Sequence, residues 1–312
     1  MASQLHLSVS PHIHTTRTTA GIMRDVIIAL LPAAIAGCVI FGLRSLAVMG
    51  VAIVAAVLSE AVFNLIVKKK QTVGDLSAVV TGLLLALNLP AHTPLWQAAV
   101  GSVFAIVIVK CVFGGLGCNL VNPAITARVF MLVAFSSMTA SSYPVIEVDT
   151  SSSATPLTEF VSENGFSGTL TDLFLGRHGG AIGETCALAL IIGGVYLICR
   201  KVITWHIPVA FIGTVFVCSL FYTGFDFTGA LEWTLAGGLI IAAFFMATDY
   251  VTSPDTPAGK IIFGVGAGLL TVLIRFFGTY PEGASFAVLI MNILSPYIES
   301  WTARKVFGGG KA

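Results

Sequence analysis

Charge is what this chain has least of. Charged residues make up 10% of its 312 residues, where soluble globular domains carry about 25%. So few charges cannot cover a water-facing surface, which excludes a soluble fold. The formal net charge of +1 leaves no basic surface for nucleic acid. Cysteine is sparse as well: Cys38, Cys111, Cys118, Cys186, Cys199 and Cys218 lie in or beside apolar stretches, and none forms a Cys-x-x-Cys pair. Free cysteine in such places acts as a small hydrophobe, so neither a metal centre nor a disulfide framework is expected. The histidines (His6, His12, His14, His92, His178, His206) fall in loops without ligand spacing. Residues 1–23 are polar, and the first apolar run lacks a small-residue cleavage site, so no cleavable signal peptide is expected.

What is abundant is apolar sequence. Hydrophobic residues reach 56%, mean hydropathy is +0.94, and 32 glycines suit close helix packing in lipid. Ten apolar segments can be read, at roughly 24–42, 46–67, 76–89, 95–113, 122–136, 181–199, 206–223, 231–248, 258–277 and 284–302. A full crossing takes about 20 residues. Segments 76–89 and 122–136 fall short, ending at Pro90 and beginning at Asn122-Pro123. They read as broken or partly spanning helices, which survive at membrane depth only where protein or a polar cavity satisfies the backbone.

Orientation follows from the basic residues. With the N-terminus cytoplasmic, Arg17, Arg24, Lys68, Lys69, Lys70, Lys110, Arg200, Lys201, Lys260, Arg304, Lys305 and Lys311 fall on or near the inside. Arg44, Arg177 and Arg275 fall outside, and Arg128 sits within a segment. The chain then divides into a cytoplasmic segment 1–23, a membrane repeat 24–136, an extracytoplasmic loop 137–180, a second membrane repeat 181–302 and a cytoplasmic tail 303–312. The long loop is acidic and rich in Ser and Thr. A loop of this length in a tight bundle is commonly functional or disordered.

The two halves echo each other. Asn88 is followed by Thr93-Pro94, an apolar run, then Lys110 and Gly114. Asp249 is followed by Thr256-Pro257, an apolar run, then Arg275 and Gly278. Halves with an odd number of spans have opposite topology, the inverted-repeat plan that puts sites at the midplane. The expected fold class is therefore an all-α polytopic bundle of about ten segments in two inverted five-helix repeats.

Three places could carry chemistry. Phe113 to Ala124 combines Gly114, Gly115 and Gly117 with Asn119, Asn122 and Pro123. Asn122 suits an N-cap and Pro123 a first helical turn. Such a start presents free N–H groups to an anion or polar ring, though tight packing with a capped turn explains the same residues. Asp149 to Leu157, taken bare, reads as a solvated Ser-rich linker ending in Thr155-Pro156. Glu60, Lys110, Arg128, Asp249 and Arg275 are ionisable residues in or beside segments, each costing roughly 2.5–3.5 kcal/mol at the bilayer centre. Most lie near segment ends, where reaching out to water lowers that cost. Asp249 is the candidate for an ion or substrate path, against plain interfacial solvation.

At these residues the chain resembles the D subunit of the Rnf complex, an ion-translocating ferredoxin:NAD oxidoreductase. It is similar, more distantly, to the B subunit of the sodium-pumping NADH:quinone oxidoreductase. The likeness runs along nearly the whole chain. It includes Ser10-Pro11-His12-Ile13, Leu30-Leu31-Pro32-Ala33, the Gly114–Ala124 stretch and Ser152 to Leu157. It continues through Ala247-Thr248-Asp249 with Ser253-Pro254, and Tyr280-Pro281-Glu282-Gly283.

The resemblance implies a urea-channel-like bundle of two inverted repeats in the inner membrane, with both termini cytoplasmic. It implies FMN esterified through its phosphate to a threonine, installed by a separate flavin transferase. The acceptor ends a pattern close to Asp-x-x-Ser-Gly-Ala-Thr. Here Asp149, Ser152, Ala154 and Thr155 match, and Ser153 stands where glycine is usual. Serine is small and common in turns, so flavinylation at Thr155 is expected to survive. Some members of the family also hold a non-covalent flavin such as riboflavin, for which Gly115, Gly117, Asn119 and Asn122 are the candidate contacts. The implied function is an electron-carrying subunit that couples electron transfer to Na⁺ or H⁺ transport, working with the other membrane and peripheral Rnf subunits rather than alone. A channel or secondary transporter for a small polar solute is the alternative, and a structural scaffold without flavin a third reading.

Overall fold

The computed structural model describes residues 17–135, 156–161, 168–278 and 282–303. Everything regular in it is helical, with no β-strand among the described residues. Thr18 caps α1 (Thr19–Phe41), its hydroxyl accepting from the Gly21 N–H at 3.1 Å. Gly42, at φ 77°, reverses the chain directly into α2 (Leu43–Ile66). Then come α3 (Ser77–Leu87), α4 (Leu95–Cys111) and α5 (Pro123–Ala134). Two short helices follow, α6 (Pro156–Val161) and α7 (Leu170–Leu175). Thr169 and Asp172 close a capping box on α7, and hydrogen bonds from the Thr169 hydroxyl and N–H hold the Asp172 carboxyl below its ordinary range. The second half comprises α8 (Ala187–Cys199), α9 (His206–Tyr222), α10 (Phe227–Leu235), α11 (Leu239–Met246), α12 (Pro257–Phe277) and α13 (Gly283–Thr302).

Three helices, α1, α2 and α12, are long and apolar enough to cross a membrane, and α10 with α11 makes a fourth if that bent pair is one span. Shorter apolar helices fill the rest of the bundle. Val39, Leu58, Val62, Leu269 and Leu273 on the long helices are exposed. A water-soluble surface does not carry such a belt, and hydrocarbon solvates it.

In the first half α2 packs on α3 and α4; in the second α9 packs on α10 and α12. Between halves, α1 packs on α8 and α5 on α13. The α1–α8 contact is close. A Cβ at Gly193 would lie 2.0 Å from the Ala29 carbonyl oxygen, so only glycine fits there.

Two segments read as continuous in the sequence are not. The run 181–199 becomes helical only at Ala187. Its first residues cap another helix instead: Gly183 N–H donates to the Leu87 carbonyl at 2.7 Å and Ile182 N–H to Leu89 at 3.0 Å. The end of α3 thus finds the donors that a helix terminus at membrane depth requires. The run 231–248 is broken into α10 and α11 with a 67° bend, and Gly237 at φ 70° turns the chain. Arg275 reaches across from α12 to the carbonyls this break frees, Nη1 to Trp233 at 2.5 Å and Nη2 to Ala236 at 2.9 Å.

The same economy corrects the expectation that the ionisable residues reach out to water. Glu60, Lys110, Arg128 and Arg275 are all buried. Lys110 donates to Glu60 Oε1 at 2.9 Å and to the Ser77 hydroxyl at 2.6 Å. Thr72 adds a second bond to Glu60 at 2.6 Å, and Arg128 pairs with Glu282 at 2.7 Å. Partners inside the protein replace water for each charge.

Candidate functional site: a cavity between the two halves

Both halves contribute to one cavity of about 100 Å³. Its polar lining includes Ser77, Lys110, Asn119, Asn122, Thr248 and Asp249. Apolar walls come from Ile22 and Val26 of α1, Leu84 of α3, Leu197 of α8, and Phe244 and Phe245 of α11. The last turns of α4 (Phe104–Cys111) and of α11 (Ala242–Met246) are π-helical, and each supplies lining residues. Such widened turns recur at functional sites.

Asn122 does what its position before proline predicts. Its Oδ1 accepts from Ala124 N–H at 3.0 Å and Ile125 N–H at 3.4 Å, capping α5. Its amide nitrogen then donates to the Met246 carbonyl at 3.2 Å, closing the end of α11 in the other half. One side chain therefore joins the start of one half-length helix to the end of another. Asn119 donates to the Val121 carbonyl at 3.1 Å, and its side chain also meets the Asp249 carboxylate.

Asp249 is half-buried at the cavity wall. Its carboxylate accepts from Val251 N–H at 3.5 Å and the Thr252 hydroxyl at 3.3 Å. Tyr250 follows and donates to the Val202 carbonyl, tying the turn to the α8–α9 connection.

The structure thus brings together four residues that the sequence singled out, Asn119, Asn122, Asp249 and Lys110. Gly115 and Gly117 are not part of the lining. They have φ of 106° and 88°, conformations that favour glycine, and nothing would crowd a Cβ there, so their role is to turn the loop. At about 100 Å³ the cavity has room for several waters.

The flavinylation residues Asp149, Ser152, Ser153, Ala154 and Thr155 lie outside the described residues. The residue bonded to Thr155 is Pro156, the first of α6. That helix is anchored: Leu157 is buried with Leu173, Trp233 and Ala236, and Phe160 stacks on Trp233 with ring centroids 5.0 Å apart. Trp233 in turn meets Phe276 edge-on, and Phe276 stacks on Tyr222.

Sequence reasoning passed over Glu184 as a site residue and met Glu282 only inside a motif. Both stand beside a glycine just before a helix, Gly183-Glu184 before α8 and Glu282-Gly283 at the start of α13. A carboxylate at the mouth of an apolar run was the available signal.

The sequence profile of the NQR2, RnfD, RnfE family matches residues 6–308. The chain belongs to this family. It is 46% identical to the D subunit of the Na(+)-translocating ferredoxin:NAD(+) oxidoreductase complex of Acetobacterium woodii, over 97% of this chain and 95% of that one. It is 42% identical to the D subunit of the proton-translocating ferredoxin:NAD(+) oxidoreductase complex of Clostridium ljungdahlii, over 97% and 96%. It is 36% identical to the D subunit of the ion-translocating oxidoreductase complex of Shewanella amazonensis, over 97% of each.

Proposed function

We propose that this chain is the D subunit of an Rnf-type ion-translocating ferredoxin:NAD oxidoreductase, carrying electrons through FMN on Thr155 and coupling their passage to Na⁺ or H⁺ movement. The observation that carries the reading is the end-to-end likeness to subunits of that name. It is joined to an acceptor pattern of Asp149, Ser152, Ala154 and Thr155.

The proposed arrangement is ten membrane segments in two inverted five-helix repeats, residues 24–136 and 181–302, in the inner membrane. The matching pairs α2 with α3 and α4, and α9 with α10 and α12, support it. So do two contacts between connections. Arg44, opening α2, donates to the Ala91 and His92 carbonyls at 3.2 and 3.0 Å, which requires an even number of crossings between them. Arg17 bonds the Arg200 and Lys201 carbonyls under the same requirement. The basic residues then put both termini in the cytoplasm and the 137–180 loop outside.

FMN supplies one- and two-electron redox chemistry; the chain's task is to hold it and to keep ions in step. The anchored α6 fixes the chain one residue beyond Thr155 to the α10 end of the bundle. Thr155 precedes Pro156, and a residue before proline is biased toward an extended backbone. Electrons pass to and from neighbouring Rnf subunits, and Asp249 with Asn119 offers a cation a polar foothold in the cavity between halves.

The test is intact-mass analysis of protein made together with a flavin transferase. Wild type should carry one FMN less water on the peptide containing Thr155. Thr155→Ser should keep at least part of it, and Thr155→Ala none. Modification that persists in Thr155→Ala, or is absent from wild type, defeats the assignment and moves the channel reading ahead.

A further inference from the structure

A second charged constellation lies away from the Asp249 cavity. Glu184, in the segment before α8, is buried. Its Oε1 accepts from Ala181 N–H at 3.0 Å, and its side chain meets that of Glu282 at the start of α13. A Cβ on Gly238 would stand 3.4 Å from Glu184 Oε2 and 3.9 Å from Asn88 Oδ1, which puts the carboxyl at the α10–α11 break and the end of α3. The ten residue steps of α8 from Ala187 to Leu197, about 15 Å at 1.5 Å per residue, lie between it and the Leu197 wall of the cavity.

The charges around it are unevenly matched. Glu282 has an ion pair with Arg128 Nη2 at 2.7 Å. Arg275, the other guanidinium near both carboxyls, gives its Nη atoms to the Trp233 and Ala236 carbonyls. Glu184 has no ion pair among the described residues. Two carboxyl groups in contact repel one another when both are ionised, and Glu184 is the buried member of the pair. Arg128 Nη1, on a side chain 4% exposed, has no hydrogen-bond partner among the described residues. Asn88 from the end of α3 and Thr185 from the same segment as Glu184 also stand beside the Glu184 carboxyl, near Gly238 and Gly180 respectively.

We propose that Glu184 and Glu282 together hold one exchangeable proton, forming a proton-binding site at the outer interface of the two halves, distinct from the Asp249 cavity. In the loaded state the Glu184 O–H donates to the Glu282 carboxylate, which keeps its bond to Arg128 Nη2. Release breaks the Glu184 O–H bond and sends H⁺ out, with no electron transferred, and the pair goes from one negative charge to two. Arg128 Nη1 is the donor free to receive the new carboxylate, so one guanidinium then clamps both. Proton binding here is independent of the flavin; its use in transport rests on the proposed Rnf role.

Infrared difference spectroscopy of the intact complex in membranes, titrated by pH, reads the proton directly. Wild type should show one protonated-carboxyl C=O band that shifts in D₂O. Glu184→Gln and Glu282→Gln should each lose it, and Glu184→Asp should move it without abolishing it. A wild-type spectrum with no such band at any pH, or a band unchanged in both Gln variants, overturns the site. If the band behaves as stated while proton uptake per electron is unaltered in Glu184→Gln, the transport role falls.

Discussion

Arg17 Nη1 donates to the Lys201 carbonyl at 3.1 Å, fastening the start of α1 to the turn between α8 and α9. Those two points lie 184 residues apart in the chain and share one face of the bundle. Together with Lys68, Lys69, Lys70, Arg200 and Lys201, this makes a sharp topology prediction. Reporters fused after Lys70 or Lys201 should read cytoplasmic, and one within 150–175 should read outside. A Glu163→Cys variant that reacts with a cytoplasmic thiol reagent and not an external one overturns the orientation.

Lys110 and Glu60 make a second prediction. Their bond spans α4 and α2 with both side chains sealed from solvent. Removing one partner strands the other charge, and such losses run about 3–5 kcal/mol. Lys110→Met alone and Glu60→Leu alone should each lower the thermal stability of the purified protein strongly. The double variant should recover much of that loss, since two apolar groups leave no buried charge. Equal destabilisation in single and double variants would show that the pair does not act as a unit.

The sequence made the local features legible and hid the non-local ones. Asn122-Pro123 and Thr256-Pro257 announced the starts of α5 and α12, because capping is written within three residues. The run 181–199 looked like one span because nothing nearby shows that Ile182 and Gly183 spend their N–H groups on Leu87 and Leu89, more than ninety residues back. Gly237-Gly238 was a break signal inside 231–248, but the partner that makes the break tolerable, Arg275, lies in another helix. Hydropathy also treats every charge as bound for water. It cannot see that Lys110 finds Glu60 fifty residues away. Of the candidate site, Asn119, Asn122 and Asp249 could each be picked out, but their meeting in one cavity is a product of the fold. Thr155 was singled out through resemblance, since a serine-rich loop bears no physical mark of a flavin.

Gly193 tests the contact between halves. An added methyl would meet the Ala29 carbonyl at 2.0 Å, backbone against backbone, where no side chain can rotate aside. Overpacking of this kind costs about 1–3 kcal/mol. Gly193→Ala should lower the melting temperature of the purified protein, whereas Gly213→Ala, with open space around its Cβ, should leave it unchanged. A Gly193→Ala protein as stable as wild type would mean that α1 and α8 are not held this closely.

Asp249 separates a structural turn from a transport step. Its carboxylate accepts from Val251 N–H and the Thr252 hydroxyl and meets Asn119, so it organises the turn after α11. It also lines the one described cavity to which both Lys110 and the Asn119–Asn122 segment contribute. Asparagine keeps the carbonyl oxygen that the Val251 bond needs and loses the charge that would hold a cation. Asp249→Asn should therefore preserve the assembled complex and the proposed flavinylation while slowing ion-coupled turnover roughly tenfold or more, the scale of losing one charged contact worth about 1.4 kcal/mol or above. The contrast is with Thr252→Val, which removes the hydroxyl bond to the carboxylate and should loosen the turn without removing the charge. Ion uptake driven by ferredoxin oxidation in inverted vesicles reads the difference. Normal uptake in Asp249→Asn would reduce the residue to a turn-former and remove the cavity from the ion path.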